Sequence, residues 1–253
     1  MSDEAAGIMQ SHADNMKGVI DKFQERIGTI FSEFMLSTAC TKAGLGLISQ
    51  GNPTNTVSLM LAQDLFTEPM TFAELLQNKR ELESRSIAHY QNMMIASWSD
   101  SIQDLFKCLL EMHFKGVRKF TELKKQNVKL DLSIDISIET QAVDMLLKDF
   151  SFWPYPDRFK LINQVLNPSK DLDSESLNIR KHVLIRNAIQ HHNSVAYQNM
   201  FDQLGVKEFD VFDDKGVPFK VTVDNVIYMS VPEFDRLKRD LYLLSQKWRS
   251  HCA

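Results

Sequence analysis

One short stretch of this chain sets two arginines, two asparagines and three histidines on an otherwise apolar helical pattern. It reads Ile179-Arg180-Lys181-His182-Val183-Leu184-Ile185-Arg186-Asn187-Ala188-Ile189-Gln190-His191-His192-Asn193. A histidine with its ordinary pKa of about 6.5 can take or give a proton at neutral pH. An arginine is always charged and can donate two hydrogen bonds to one phosphate. Arg186 with His191 therefore suits chemistry at phosphorus, the guanidinium stabilising the charge that builds there and the imidazole moving protons. On a helix Asn187 and His191 stand at i,i+4 and share a face, so the amide is placed to orient the ring. Arg186 and His191 stand at i,i+5, about 140° apart around an ideal helix. They meet one phosphate if the helix unwinds at the histidine. They also meet if Arg186 reaches across a groove, for instance from the matching helix of a second subunit, a geometry that points to a homodimer. His192 reads either as a second proton carrier or as a solvent-facing neighbour. A purely structural alternative stands beside all this: Arg-Asn near a helix end, followed by His, can cap the helix by pairing with its last carbonyls.

Arg186-Asn187, three residues and then His191, lying late in a helical chain, resembles the signature of the HEPN superfamily: an Arg, usually followed by a polar residue, then four to six positions and a His. The resemblance covers roughly residues 90 to 253. It implies a helical bundle that forms a homodimer and cuts RNA without a metal or cofactor. In that reading Arg186 and His191 are catalytic, with Asn187 and His192 beside them. RNA cleavage without a metal needs the 2′-hydroxyl deprotonated and the leaving 5′-oxygen protonated, and it leaves 2′,3′-cyclic phosphate and 5′-hydroxyl ends. The resemblance further implies a toxin or antiviral defence effector, kept quiet by an inhibitory protein or antitoxin. Its other outcome is a catalytically silent HEPN-like module that binds RNA or protein. In many HEPN domains an acidic residue on the first long helix supports the catalytic pair, and here Gln103 and Asp104 fall nearby as possible support.

Composition bounds the rest. The 253 residues are 43% hydrophobic, enough for a proper core, and carry a net charge of −4 with a pI near 6.0. No global basic field exists to attract a polyanion, so any RNA contact has to be local. The basic stretch Lys115, Arg118, Lys119, Lys124 and Lys125, with Glu122 as its one acid, is the candidate for holding a phosphate backbone. Cys40, Cys108 and Cys252 are scattered and odd in number, which argues against a disulfide framework and against a zinc site. Neither a Gly-rich phosphate loop nor a Gly-x-Ser-x-Gly elbow is present. The acidic opening Met1-Ser2-Asp3-Glu4 is no signal peptide, and no apolar run is long enough to span a bilayer, so a cytoplasmic protein without membrane contact is expected.

The elements that must position the motif read as mainly α, a helical bundle with a small antiparallel β-sheet inserted. Two regions are expected: 1–90, N-terminal and helical, and 91–253, the HEPN-like helical domain with a small β-meander. Met16, Ile20, Phe23, Ile27, Ile30 and Phe34 recur in steps of four and three, predicting a helix over about 12–39 that Gly44, Gly46 and Gly51-Asn52-Pro53 break. A shorter helix is expected over 54–66, and Thr71-Phe72-Ala73-Glu74 has the form of a capping box. Ile95, Trp98, Ile102, Leu105, Leu109 and Met112 form the strongest stripe, ended by Gly116. Leu130, Leu132, Ile134, Ile136 and Ile138 alternate with polar residues and predict a strand. Its partners are expected over 208–212, 219–223 and 226–229, with turns at Asp213-Asp214-Lys215-Gly216 and Asp224-Asn225. Helices over 140–148, 157–166 and 231–248 complete the expectation.

Overall fold

A computed structural model describes residues 3–58, 60–62, 65–121, 131, 133 and 135–252. The protein is mainly α with small antiparallel β elements, as the patterning predicts. Helix α1 (Asp3–Ser49) buries Met16, Ile20, Phe23, Ile27, Ile30 and Phe34 on one face. It runs ten residues past the expected end, through Gly44 and Gly46, which lower helix propensity but do not by themselves end the helix; no close approach requires glycine at either position. The chain turns at Gly51, where a Cβ would lie 2.5 Å from the Phe72 ring. Glycine stands there because the ring packs onto the backbone.

Among the described residues of 54–66 the expected helix is absent. Instead β1 (Thr56–Val57) pairs antiparallel with β4 (Met70–Thr71), and β2 (Met60–Ala62) pairs with β3 (Leu65–Phe66). Asn52 explains the start, since its Oδ1 accepts from both the amide and the hydroxyl of Thr54, an Asx-type turn that competes with helix nucleation. Helix α2 (Phe72–Gln77) begins with the predicted capping box: Thr71 Oγ1 accepts from Glu74 N, and Thr71 N donates to the Glu74 carboxylate. After Asn78 comes α3 (Lys79–Phe114), which buries the Trp98 stripe and ends at Gly116 with φ +68°.

Of the strand predicted around 130–138, Leu130, Leu132 and Ile134 lie outside the described residues. The remainder is not a strand. Asp131 Oδ1 turns the chain onto Ser133, and the Ser137 hydroxyl accepts from Thr140 N, so that Ile138 opens helix α4 (Ile138–Phe152). Capping chemistry here outweighs the alternating pattern. Helix α5 (Tyr155–Leu166) and α6 (Asp173–His191) follow, then a short α7 (Gln198–Leu204) that the sequence did not announce. The sheet expected downstream is one hairpin, β5 (Phe209–Phe212) with β6 (Pro218–Val221), joined through the predicted Asp213–Gly216 turn. Residues 226–229 form no strand, only a single bridge from Val226 to Val195. Helix α8 (Val231–Ser250) closes the chain.

One hydrophobic core joins α1, α3 and α8. Trp98 stacks on Trp248 with centroids 4.7 Å apart, Phe23 lies 5.2 Å from Trp98, and Phe34 meets Phe234 edge-on at 4.7 Å. Both buried indoles keep a partner: Trp98 Nε1 donates to the Tyr155 hydroxyl and Trp248 Nε1 to Asn163 Oδ1. Helix α3 passes position 90 without a break, and α1 shares its core.

Candidate functional site

Helix α6 is fixed by charge as well as by packing. Lys181, His182 and Glu233 are all buried where α6, α8 and β5 meet. Lys181 Nζ donates to the Glu233 carboxylate and, at 2.9 Å, to the Asp210 carbonyl; Phe212 N donates to Glu233 Oε2 at 2.9 Å. His182 Nε2 lies 3.0 Å from Glu233 Oε1, and Gln91 Nε2 on α3 lies 3.2 Å from His182 Nδ1. Burial pushes the His182 pKa down to about 4 and keeps the ring neutral. Burial also opposes the charge on Glu233, but the nearby His182 and the Lys181 ammonium outweigh it and hold the carboxyl well below the usual range. These contacts lock the register of α6 against α3 and α8, and one turn later that register sets the position of Arg186.

Arg186 is half-buried and reaches across to α3. Its Nε donates to Asn92 Oδ1 at 3.0 Å, and its Nη1 donates to Asn187 Oδ1 at 2.9 Å. Gln190 Nε2 donates to the same Asn92 oxygen at 3.1 Å. Both partners are neutral amides, and among the described residues no carboxylate lies within ion-pair distance of the guanidinium. The positive charge is thus aimed but not neutralised. Arg186 lines a groove of about 250 Å³ together with Arg85, His89, Asn92, Gln190 and Ser194 among others, and among the described residues no acidic side chain is in the lining. Arg85 is paired with Glu81 one turn back.

The two motif histidines stand elsewhere. Helix α6 stays helical through His191, with His192 N and Ser194 N both donating to the Ala188 carbonyl. The chain then leaves through two left-handed residues, Asn193 and Ser194. The helix therefore does not unwind at His191, which is exposed and outside the lining of the Arg186 groove. Asn187 holds Arg186 rather than orienting His191. His192 is exposed and packs its ring on Tyr197 at 4.0 Å. Neither histidine ring makes a hydrogen bond to a helix carbonyl among the described residues, so the side-chain capping expected as the structural alternative is absent; the backbone closes the helix itself.

The other expected site residues are not gathered at the groove. Gln103 is half-buried and Asp104 exposed on α3, with Asp104 twelve positions from Asn92, about 18 Å along a helix. Lys115, Arg118 and Lys119 are exposed at the far end of α3, Arg118 lying 5.0 Å over the Phe120 ring. Lys124 and Lys125 lie outside the described residues. Among the described residues no group of three His, Cys, Asp or Glu is placed to hold a metal ion. Two larger cavities, of about 560 and 610 Å³, flank the hairpin and helix α5, and neither is lined by Arg186, Asn187, His191 or His192.

His89, Asn92 and Gln190 were missed in the sequence. A signal existed: Arg85, His89 and Asn92 recur at i, i+4 and i+7, a polar stripe beside the buried one on α3. No family model, curated protein or solved structure matches the chain.

Proposed function

We propose that this protein is a metal-independent endoribonuclease of HEPN type, a toxin or antiviral defence effector of the cytoplasm, restrained by an inhibitory protein or antitoxin. The observation that carries the reading is the Arg186 guanidinium, aimed by Asn92 and Asn187 into an acid-free groove with hydrogen-bond donors to spare. Such a cation suits one phosphodiester of an RNA strand and the charge that builds on it during cleavage. In a homodimer, His191 from a second copy supplies the proton for the leaving 5′-oxygen, since within one chain the unbroken helix turns His191 away from Arg186. The exposure of His191 outside the groove also favours a second reading, a catalytically silent HEPN-like module that binds RNA or protein. Incubating mixed RNA with purified protein and EDTA separates the two. Cleavage to 2′,3′-cyclic phosphate ends, lost in Arg186→Ala and His191→Ala at unchanged thermal stability, is the expected result. RNA bound but uncut by the wild type selects the silent module.

A further inference from the structure

The groove that holds Arg186 contains a histidine of its own. His89 projects from α3, one turn before Asn92, into the same cavity of about 250 Å³. A space this small, below the roughly 300 Å³ at which ligand sites usually begin, suits a group no larger than one phosphate and its ribose, which both lining side chains would then share. His89 is exposed, and among the described residues its ring nitrogens have no hydrogen-bond partner; its one ring contact is edge-on with Tyr90 at 5.6 Å. Burial holds His182 neutral and sealed, and His192, though exposed, packs one ring face on Tyr197 outside the groove. His89 is thus a free imidazole beside an unneutralised, pre-aimed guanidinium, with the neutral amides of Asn92 and Gln190 between the two helices.

We infer that His89 is a catalytic residue of the Arg186 groove, bound to the same phosphodiester as Arg186 and taking the proton of the ribose 2′-hydroxyl. This rests on the ribonuclease reading. In the step, a lone pair of the 2′-oxygen forms the bond to phosphorus and its proton passes to a ring nitrogen of His89. The bond from phosphorus to the 5′-oxygen breaks with its electron pair on that oxygen. The 5′-oxygen takes a proton from His191 of the second copy. Arg186 hydrogen-bonds the non-bridging oxygens throughout. No redox change occurs, and solvent returns both histidines to their starting protonation. Each chain thereby carries its own arginine and proton-accepting histidine across the α3–α6 groove, while His191, the proton donor, comes from the second copy.

The test uses full-length protein and two readouts. Ring C–H signals of the histidines are followed by NMR while inorganic phosphate, and separately cytidine 3′-monophosphate, is titrated in. The His89 signals are expected to shift saturably, with affinity at least tenfold weaker in Arg186→Ala. RNA cleavage with EDTA is measured in parallel, and His89→Ala is expected to lose at least a hundredfold in kcat at unchanged melting temperature. Unshifted His89 signals, or wild-type cleavage by His89→Ala while His191→Ala is dead, overturn the assignment and leave the ribonuclease reading standing. A wild type that shifts His89 but cuts no RNA overturns the ribonuclease reading and the proton transfer with it, while retaining the groove as an anion site.

Discussion

Asn92 shows what a single neutral amide does beside an arginine. Its Oδ1 accepts from Arg186 Nε and from Gln190, fixing the guanidinium without cancelling its charge. Replacing it with an isosteric carboxylate keeps the shape and pairs the arginine. Asn92→Asp is therefore expected to weaken phosphate binding at the His89 signals by tenfold or more and to depress RNA cleavage, with melting unchanged or raised. Asn92→Ala, which leaves Nε unpartnered but charged, is expected to lose less binding than Asn92→Asp. A purely structural role for Asn92 reverses that order. At this scale the sequence revealed Arg186, because Arg-Asn-x-x-x-His is contiguous. It concealed Asn92 and His89, which lie more than ninety positions upstream. Their contact is made only when α3 and α6 pack, and no local period encodes that register.

Elements with a buried stripe were legible, since the 3.6-residue period survives in α1, α3, α5 and α8 whatever they pack against. Where capping and turn chemistry compete with an apolar pattern, the pattern misled. Thr54 and Ser137 are the examples, one turning residues 52–54 away from helix, the other starting α4 inside an apparent strand. The buried Lys181, His182 and Glu233 were equally invisible, being polar residues on a face that the period marks as core. They carry two predictions about how α6 is held. Glu233→Gln strands the Lys181 ammonium at a buried position, and urea unfolding is expected to show a loss of about 3–5 kcal/mol. Acid acts through His182, whose folded pKa of about 4 lies below its ordinary 6.5. As pH falls from about 6.5 towards 4.5, the unfolded chain takes up a proton that the folded chain refuses. Stability is therefore full above the ordinary value and declines by roughly 2–3 kcal/mol across that window. Unfolded glutamates are half-protonated at 4.5 and begin to take up protons about one unit higher, so a urea series from pH 7 to about 5.5 isolates the histidine. A flat profile there contradicts a neutral, buried His182.

At the scale of the whole molecule, the proposed ribonuclease function requires the chain to draw a polyanion to a small groove although its net charge is −4. The exposed cations Lys115 and Lys119 lie beyond the C-terminal end of α3, while Asn92 and His89 lie in its N-terminal half. From Asn92 to Lys115 is 23 positions, about 35 Å along the helix. Those cations are thus not neighbours of the Arg186 groove. A trinucleotide bound in the groove cannot reach them, whereas a long single strand running along α3 can. Lys115→Glu with Lys119→Glu is therefore expected to leave trinucleotide cleavage unchanged. It is expected to weaken binding of long RNA irrespective of sequence, each lost phosphate contact lowering the slope of log affinity against log salt by about 0.7. Fluorescence anisotropy of a labelled 30-nucleotide RNA over a salt series, beside trinucleotide turnover, measures both. An unchanged slope means the strand leaves the groove by another face. A loss of trinucleotide turnover means the two substitutions have disturbed α3 itself, because no charge effect in physiological salt carries over four Debye lengths.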